Sequence, residues 1–109
     1  MANEVIFDTS SRKVPELPSP GKRIKLLIDA DAKNEIDDQY AMALAIYSPE
    51  RFDIKGFVGS NFDNTRGGVD SVQKSVDEIK LVLDKAGMSG KWPVLAGSDH
   101  GRETAVYLP

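Results

Sequence analysis

One apolar run ends in acids and the next begins with them, and this junction constrains the chain more than any other segment. Arg23-Ile-Lys-Leu-Leu-Ile28 reads as a short buried strand, and Asp37 to Ser48, with Ala41, Met42, Leu44, Ala45 and Ile46, reads as a largely buried helix. Asp29, Asp31, Asp37 and Asp38 therefore gather in a strand-to-helix loop. In open α/β sheets ligands bind beyond the carboxyl ends of the strands, so the loop is a candidate site by position as well as by chemistry.

Electrostatics sharpens the expectation. Two like charges about 4 Å apart at an effective dielectric near 20 repel by roughly 4 kcal/mol, whereas a helix N-terminus returns only about 0.3–1 kcal/mol per acid. Four clustered acids must protonate, splay into water or be neutralised by a cation. The chain has no cysteine, so oxygen donors imply a hard ion, Ca²⁺ or Mg²⁺, and Ca²⁺ suits a flexible loop better. Without a cation, Asp37 and Asp38 are ordinary first-turn acids, Asn34 is the N-cap, and Asp29 and Asp31 are turn residues beside Lys33.

The rest of the chain repeats the strand-helix alternation. Phe52-Asp-Ile-Lys-Gly-Phe-Val58 is a second strand, followed by a turn-rich loop from Gly59 to Gly68. Val72, Val76, Ile79 and Leu83 recur at helical spacing within 69–86, with Gly87 as the stop, and Trp92-Pro-Val-Leu-Ala96 is a third strand. This order implies parallel pairing through right-handed crossovers, a Rossmann-like three-layer α/β sheet. Residues 1–21, with Pro15, Pro18, Pro20 and Gly21, read as an extended tail ahead of a single domain over 22–109.

Charged residues make up 28% of the 109, yet the net charge is only −3, which suggests neither a nucleic-acid footprint nor a polybasic membrane patch. No apolar run approaches a membrane span, and the first 22 residues lack the apolar stretch of a signal peptide. The expected partner is a small molecule and the expected compartment the cytoplasm.

From Leu27 to Ala41 the chain resembles the inosine-uridine-preferring nucleoside hydrolase family, whose N-terminal signature is an Asp-x-Asp strand end followed by an Asp-Asp helix start. Phe57-Val-Gly-Ser-Asn61 resembles that family's second-strand segment, and Pro93-Val-Leu-Ala-Gly97 its third strand and turn; together the resemblance covers about residues 23–98. It implies the N-terminal β-α-β-α-β part of a nucleoside hydrolase-like fold, cleaving the N-glycosidic bond of a ribonucleoside to free base and ribose. Asp31 would be the general base and a metal ligand, Asp38 the principal carboxylate ligand of Ca²⁺, Asp37 and Asn61 the ribose contacts, and Asp29 the outer acid supporting the loop. The chemistry suits these residue types. The reaction develops oxocarbenium character on the ribose, which carboxylates stabilise, while a water held at the metal and deprotonated by Asp31 attacks the anomeric carbon. The outcome is that of an inverting glycosidase.

The chain departs from that pattern in two ways. Where the family has Pro-Gly and one apolar residue between its second Asp and its Asp pair, this chain has the five residues Ala32-Lys-Asn-Glu-Ile36, in a form resembling a divergent branch of the superfamily. Family members are also much longer, with further metal ligands, leaving-group contacts and a late His-Asp pair downstream. The expectation is thus an incomplete domain that self-associates or depends on a missing segment, since a lone three-stranded parallel sheet leaves an edge and a face uncovered.

Two alternatives remain. A metal- or sugar-binding fragment could bind without turnover. A haloacid-dehalogenase-like phosphatase also uses Asp-x-Asp at a strand end, but that family has Thr or Val where Lys33 stands. His100, Asp63 and Asn64 are further polar candidates near strand ends, each with an ordinary loop reading. Trp92 is expected to pack at an edge, and Lys22, Arg23 and Lys25 to be solvated.

Overall fold

The computed structural model describes residues 9–62 and 70–98. Five elements lie where the sequence predicts them, with no end displaced by more than two residues: β1 (Ile24–Ala30), α1 (Asp37–Ile46), β2 (Phe52–Gly59), α2 (Ser71–Lys85) and β3 (Val94–Ala96). The strands form one all-parallel sheet in the order β1-β2-β3. Residues 9–21 contain turns but no strand or helix.

Two crossovers of the same hand that step in the same direction place both helices on one face. The packing follows that rule. Met42, Ala45 and Ile46 of α1 join Ile79 and Leu83 of α2 and Ile54 and Phe57 of β2 in one core. An irregularity in β2 makes this possible: Leu26 pairs with Ile54 but Leu27 with Gly56, so Lys55 is an extra residue. The bulge shifts the alternation by one, and Ile54 and Phe57, three apart in sequence, both face the helices. Trp92, partly buried, supports Phe57 edge-on, with ring centroids 5.9 Å apart.

α2 sits closely on the end of β2. A side chain at Gly59 would place its Cβ 2.7 Å from Val76 Cγ2 and 2.8 Å from the Val76 backbone nitrogen, so glycine is what lets helix and strand meet. The helix ends in a Schellman arrangement: Met88 N–H donates to Leu83 O at 2.8 Å and Gly87 N–H to Asp84 O at 3.0 Å, with Gly87 at φ +72°.

The opposite face of the sheet is different. Leu27 and Leu95 alternate away from the helices and are 66% and 58% exposed. Of the three layers that a parallel sheet of this class employs, the described residues build two. Arg23 is exposed, as expected, and its head group also fastens the start of β1: its Nε donates to Pro49 O at 2.8 Å and its Nη2 to Phe52 O at 3.1 Å. No helix among the described residues is long and apolar enough to cross a membrane.

Candidate functional site

The parallel register brings the carboxyl ends of the three strands into one row. Ala30 pairs with Gly59 and Gly59 with Ala96; beyond them Ser60 N–H donates to Ala30 O at 3.0 Å and Gly97 N–H to Gly59 O at 2.9 Å. Asn61, two residues past β2 and half-buried, thereby lies beside the chain that leaves β1 through Asp31. Phe62 is held next: its N–H donates at 3.2 Å to the hydroxyl of Ser71, a fully buried residue at the start of α2.

At the end of β1, Ala30 and Ala32 turn inward and are buried, and Asp31 between them is half-buried. The chain then folds back on itself. Asn34 N–H donates to Asp31 O at 2.8 Å, and Asn34 Nδ2 donates to Asp31 Oδ2 at 3.0 Å. Asn34 is therefore not the helix cap. Ile36 occupies that position, and its apolar side chain offers no oxygen to cap the helix, while the Asn34 side chain turns back to the Asp31 carboxylate.

The first turn of α1 carries Asp38 to the same point. Its carboxyl is hydrogen-bonded to the Asp31 carboxyl and accepts from the Asp31 backbone N–H. Burial, above all, and then the hydrogen bond to Asp31 and the charges of Asp31 and Asp37, push Asp38 up to about 6, against the lowering effect of that backbone bond. Two carboxyls so placed share a proton or require a cation between them.

The four acids thus divide. Asp31 and Asp38 meet; Asp37, exposed in the first turn of α1, adds its charge to theirs; Asp29 is exposed on β1, on the side away from buried Ala30. Among the described residues no group of three or more Asp, Glu, His or Cys is placed to hold one metal ion. In kind, though, the donors suit a hard cation: two carboxylates, with the Asn34 amide beside Asp31. Asp63, Asn64 and His100 lie outside the described residues.

Three residues that the sequence reading did not single out for structural roles organise this loop. Gln39 Nε2 donates to Ala32 O at 2.7 Å and to Glu78 Oε1 of α2 at 3.1 Å, and Lys33 Nζ reaches Glu78 Oε2 at 3.4 Å. Lys33, which adds a charge beside the acids in the sequence, spends it on Glu78 instead. The available signal was a polar Gln39 directly after the Asp pair, in a helix otherwise rich in apolar residues. Elsewhere, an open groove of about 460 Å³ runs between α1 and α2, lined by Ile36, Tyr40, Tyr47, Leu81 and Val82 among others; neither Asp31 nor Asp38 lines it.

Compared with models of protein families, with curated proteins and with solved structures, the chain finds no match.

Proposed function

We propose that this chain carries the N-terminal half-site of a nucleoside N-ribohydrolase. The observation that supports the reading best is the convergence of the Asp31 and Asp38 carboxyls at the carboxyl end of β1, with Asn61 arriving alongside from β2. Asp31 is the general base and, with Asp38, a ligand of Ca²⁺. Asp37 and Asn61 contact the ribose, and Asp29 supports the loop from outside. Bound there, Ca²⁺ would offset the repulsion within the acid pair and lower the pKa of the nucleophilic water.

In the reaction, Asp31 takes a proton from a water whose oxygen bonds to the anomeric carbon. The N-glycosidic bond breaks, its electron pair leaves with the base, and the base nitrogen takes up a proton. Positive charge on the ribose faces Asp31, Asp37 and Asp38, which stabilises the transition state more than the neutral substrate. Asn34 holds one Asp31 oxygen in place, which orients the carboxylate for the role. A cytoplasmic location and a small-molecule nucleoside partner accompany this reading.

A second reading is a Ca²⁺- or sugar-binding fragment without turnover, favoured by the convergence of only two acids among the described residues. One experiment separates the two. Release of free base and ribose from inosine or uridine by the chain supplied with Ca²⁺, abolished by Asp31→Asn with unchanged circular dichroism, would support the first reading. Calorimetric Ca²⁺ binding without release would favour the second reading. A folded chain showing neither would refute both.

A further inference from the structure

A loop carries the chain from Asp31 to the helix that starts at Asp37, and a loop free at both ends would let Asp31 and Asp38 drift apart. Here the ends are tied together. Lys33 follows the Asp31 end and Gln39 follows the Asp38 end, and both reach the same carboxylate, Glu78, 45 and 39 residues away on α2. Each Glu78 oxygen takes one partner: Oε2 faces Lys33 Nζ at 3.4 Å and Oε1 accepts from Gln39 Nε2 at 3.1 Å. The same Gln39 nitrogen donates to Ala32 O at 2.7 Å, so the loop is pinned at its base as well as across to the second helix.

We propose that Glu78 is a positioning residue, which by bracing both ends of the 32–38 loop against α2 holds Asp31 and Asp38 in register for the cation and substrate they receive. The inference rests on the proposed reading of that acid pair. Its physical basis is that the Glu78 side chain is only 16% exposed, so its hydrogen bond from Gln39 is charge-assisted and partly shielded from water, unlike an ion pair in open solvent. Glu78 does not touch the reacting atoms. It acts through Gln39, the neighbour of Asp38, and through Lys33, two residues from Asp31.

The test compares wild type with Glu78→Ala, Glu78→Gln and the control Asp77→Ala. The control removes an exposed acid from the same helix, whose hydrogen bond is to Gln73 of that helix at 2.8 Å. Two readouts are taken on the full chain: the rate of cleavage after Glu35 by a glutamate-specific protease, referenced to cleavage after Glu50, and the calorimetric Ca²⁺ affinity. Loss of a charge-assisted hydrogen bond should speed cleavage after Glu35 by about tenfold in Glu78→Ala and weaken Ca²⁺ by a similar factor, with the control unchanged. Glu78→Gln keeps an acceptor for Gln39 and should fall between the two. Unchanged cleavage in Glu78→Ala would overturn the brace. Faster cleavage with unaltered Ca²⁺ affinity would overturn its service to the site. Equal loss of affinity in both Glu78 variants with cleavage unchanged would mean that the charge alone matters, and the proposal would fall. If wild type takes up no Ca²⁺, the metal reading fails on its own, and the cleavage rates still decide whether the brace exists.

Discussion

Asp38→Asn should make the metal-free protein more stable at neutral pH, although it removes a residue of the candidate site. Asp38 is raised from the ordinary 3.8 to about 6, mainly by burial and by Asp31. The native state therefore holds a proton that the unfolded chain releases. The associated stability is fully present below about pH 4 and is lost as pH rises through about 6. Two units correspond to about 3 kcal/mol, and because Asp38 is only partly buried, solvent screening reduces the expected loss to about 1–3 kcal/mol. Asparagine reproduces the protonated form: its amide can donate to the Asp31 carboxylate, and its oxygen can accept from the Asp31 N–H. Urea midpoints with a chelator at pH 4, 5, 6 and 7 should fall for wild type and stay nearly level for the variant, with equal m-values. A parallel decline in both proteins, or a variant weaker than wild type at pH 7, would refute the placement of these carboxyls. On the proposed function, added Ca²⁺ should raise the wild-type midpoint at pH 7 and leave the variant unmoved.

Other perturbations probe the scaffold beneath the site. Gly59→Ala forces Cβ to within 2.8 Å of a backbone atom of α2 and should cost about 1–3 kcal/mol in chemical denaturation; adding Val76→Ala should not restore stability, because the backbone nitrogen remains in the way. Ser71→Ala leaves the Phe62 N–H without its partner and should cost about 1–3 kcal/mol in chemical denaturation. The uncovered face of the sheet, with Leu27 and Leu95, should drive self-association at micromolar concentration in sedimentation, relieved by Leu27→Ser with Leu95→Ser. A monodisperse wild-type monomer that melts cooperatively would contradict that expectation.

Much of the fold is written in local pattern. The apolar spacing of α2 survives intact, with Val72, Val76, Ile79 and Leu83 all buried, because a surface helix exposes its periodicity directly in sequence. β1 and β2 are equally legible as apolar runs bounded by turns. The bulge at Lys55 is less so: it exists only in the pairing of two strands, and its one local signal is the lone Gly56 within the strand pattern. Arg23 shows the same limit: it reads as one of three solvated cations, and its carbonyl partners, Pro49 in the α1–β2 connection and Phe52 at the start of β2, are brought near only by folding.

At the site the division runs between which residues and which partners. Composition and position alone mark Asp29, Asp31, Asp37 and Asp38 as an acidic junction at the end of a strand, because charge repulsion and the strand-helix boundary are properties of the chain itself. That Asp31 and Asp38 form the pair while Asp29 stays exposed on the strand was decided by the end of β1 at Ala30 and the turn that carries the chain from Asp31 into α1. Likewise Asn34 leaves its expected capping position for Asp31, and Glu78 enters from a helix 40 residues on, because hydrogen bonds are short-ranged and directional and are satisfied by whatever the tertiary packing places within about 3 Å.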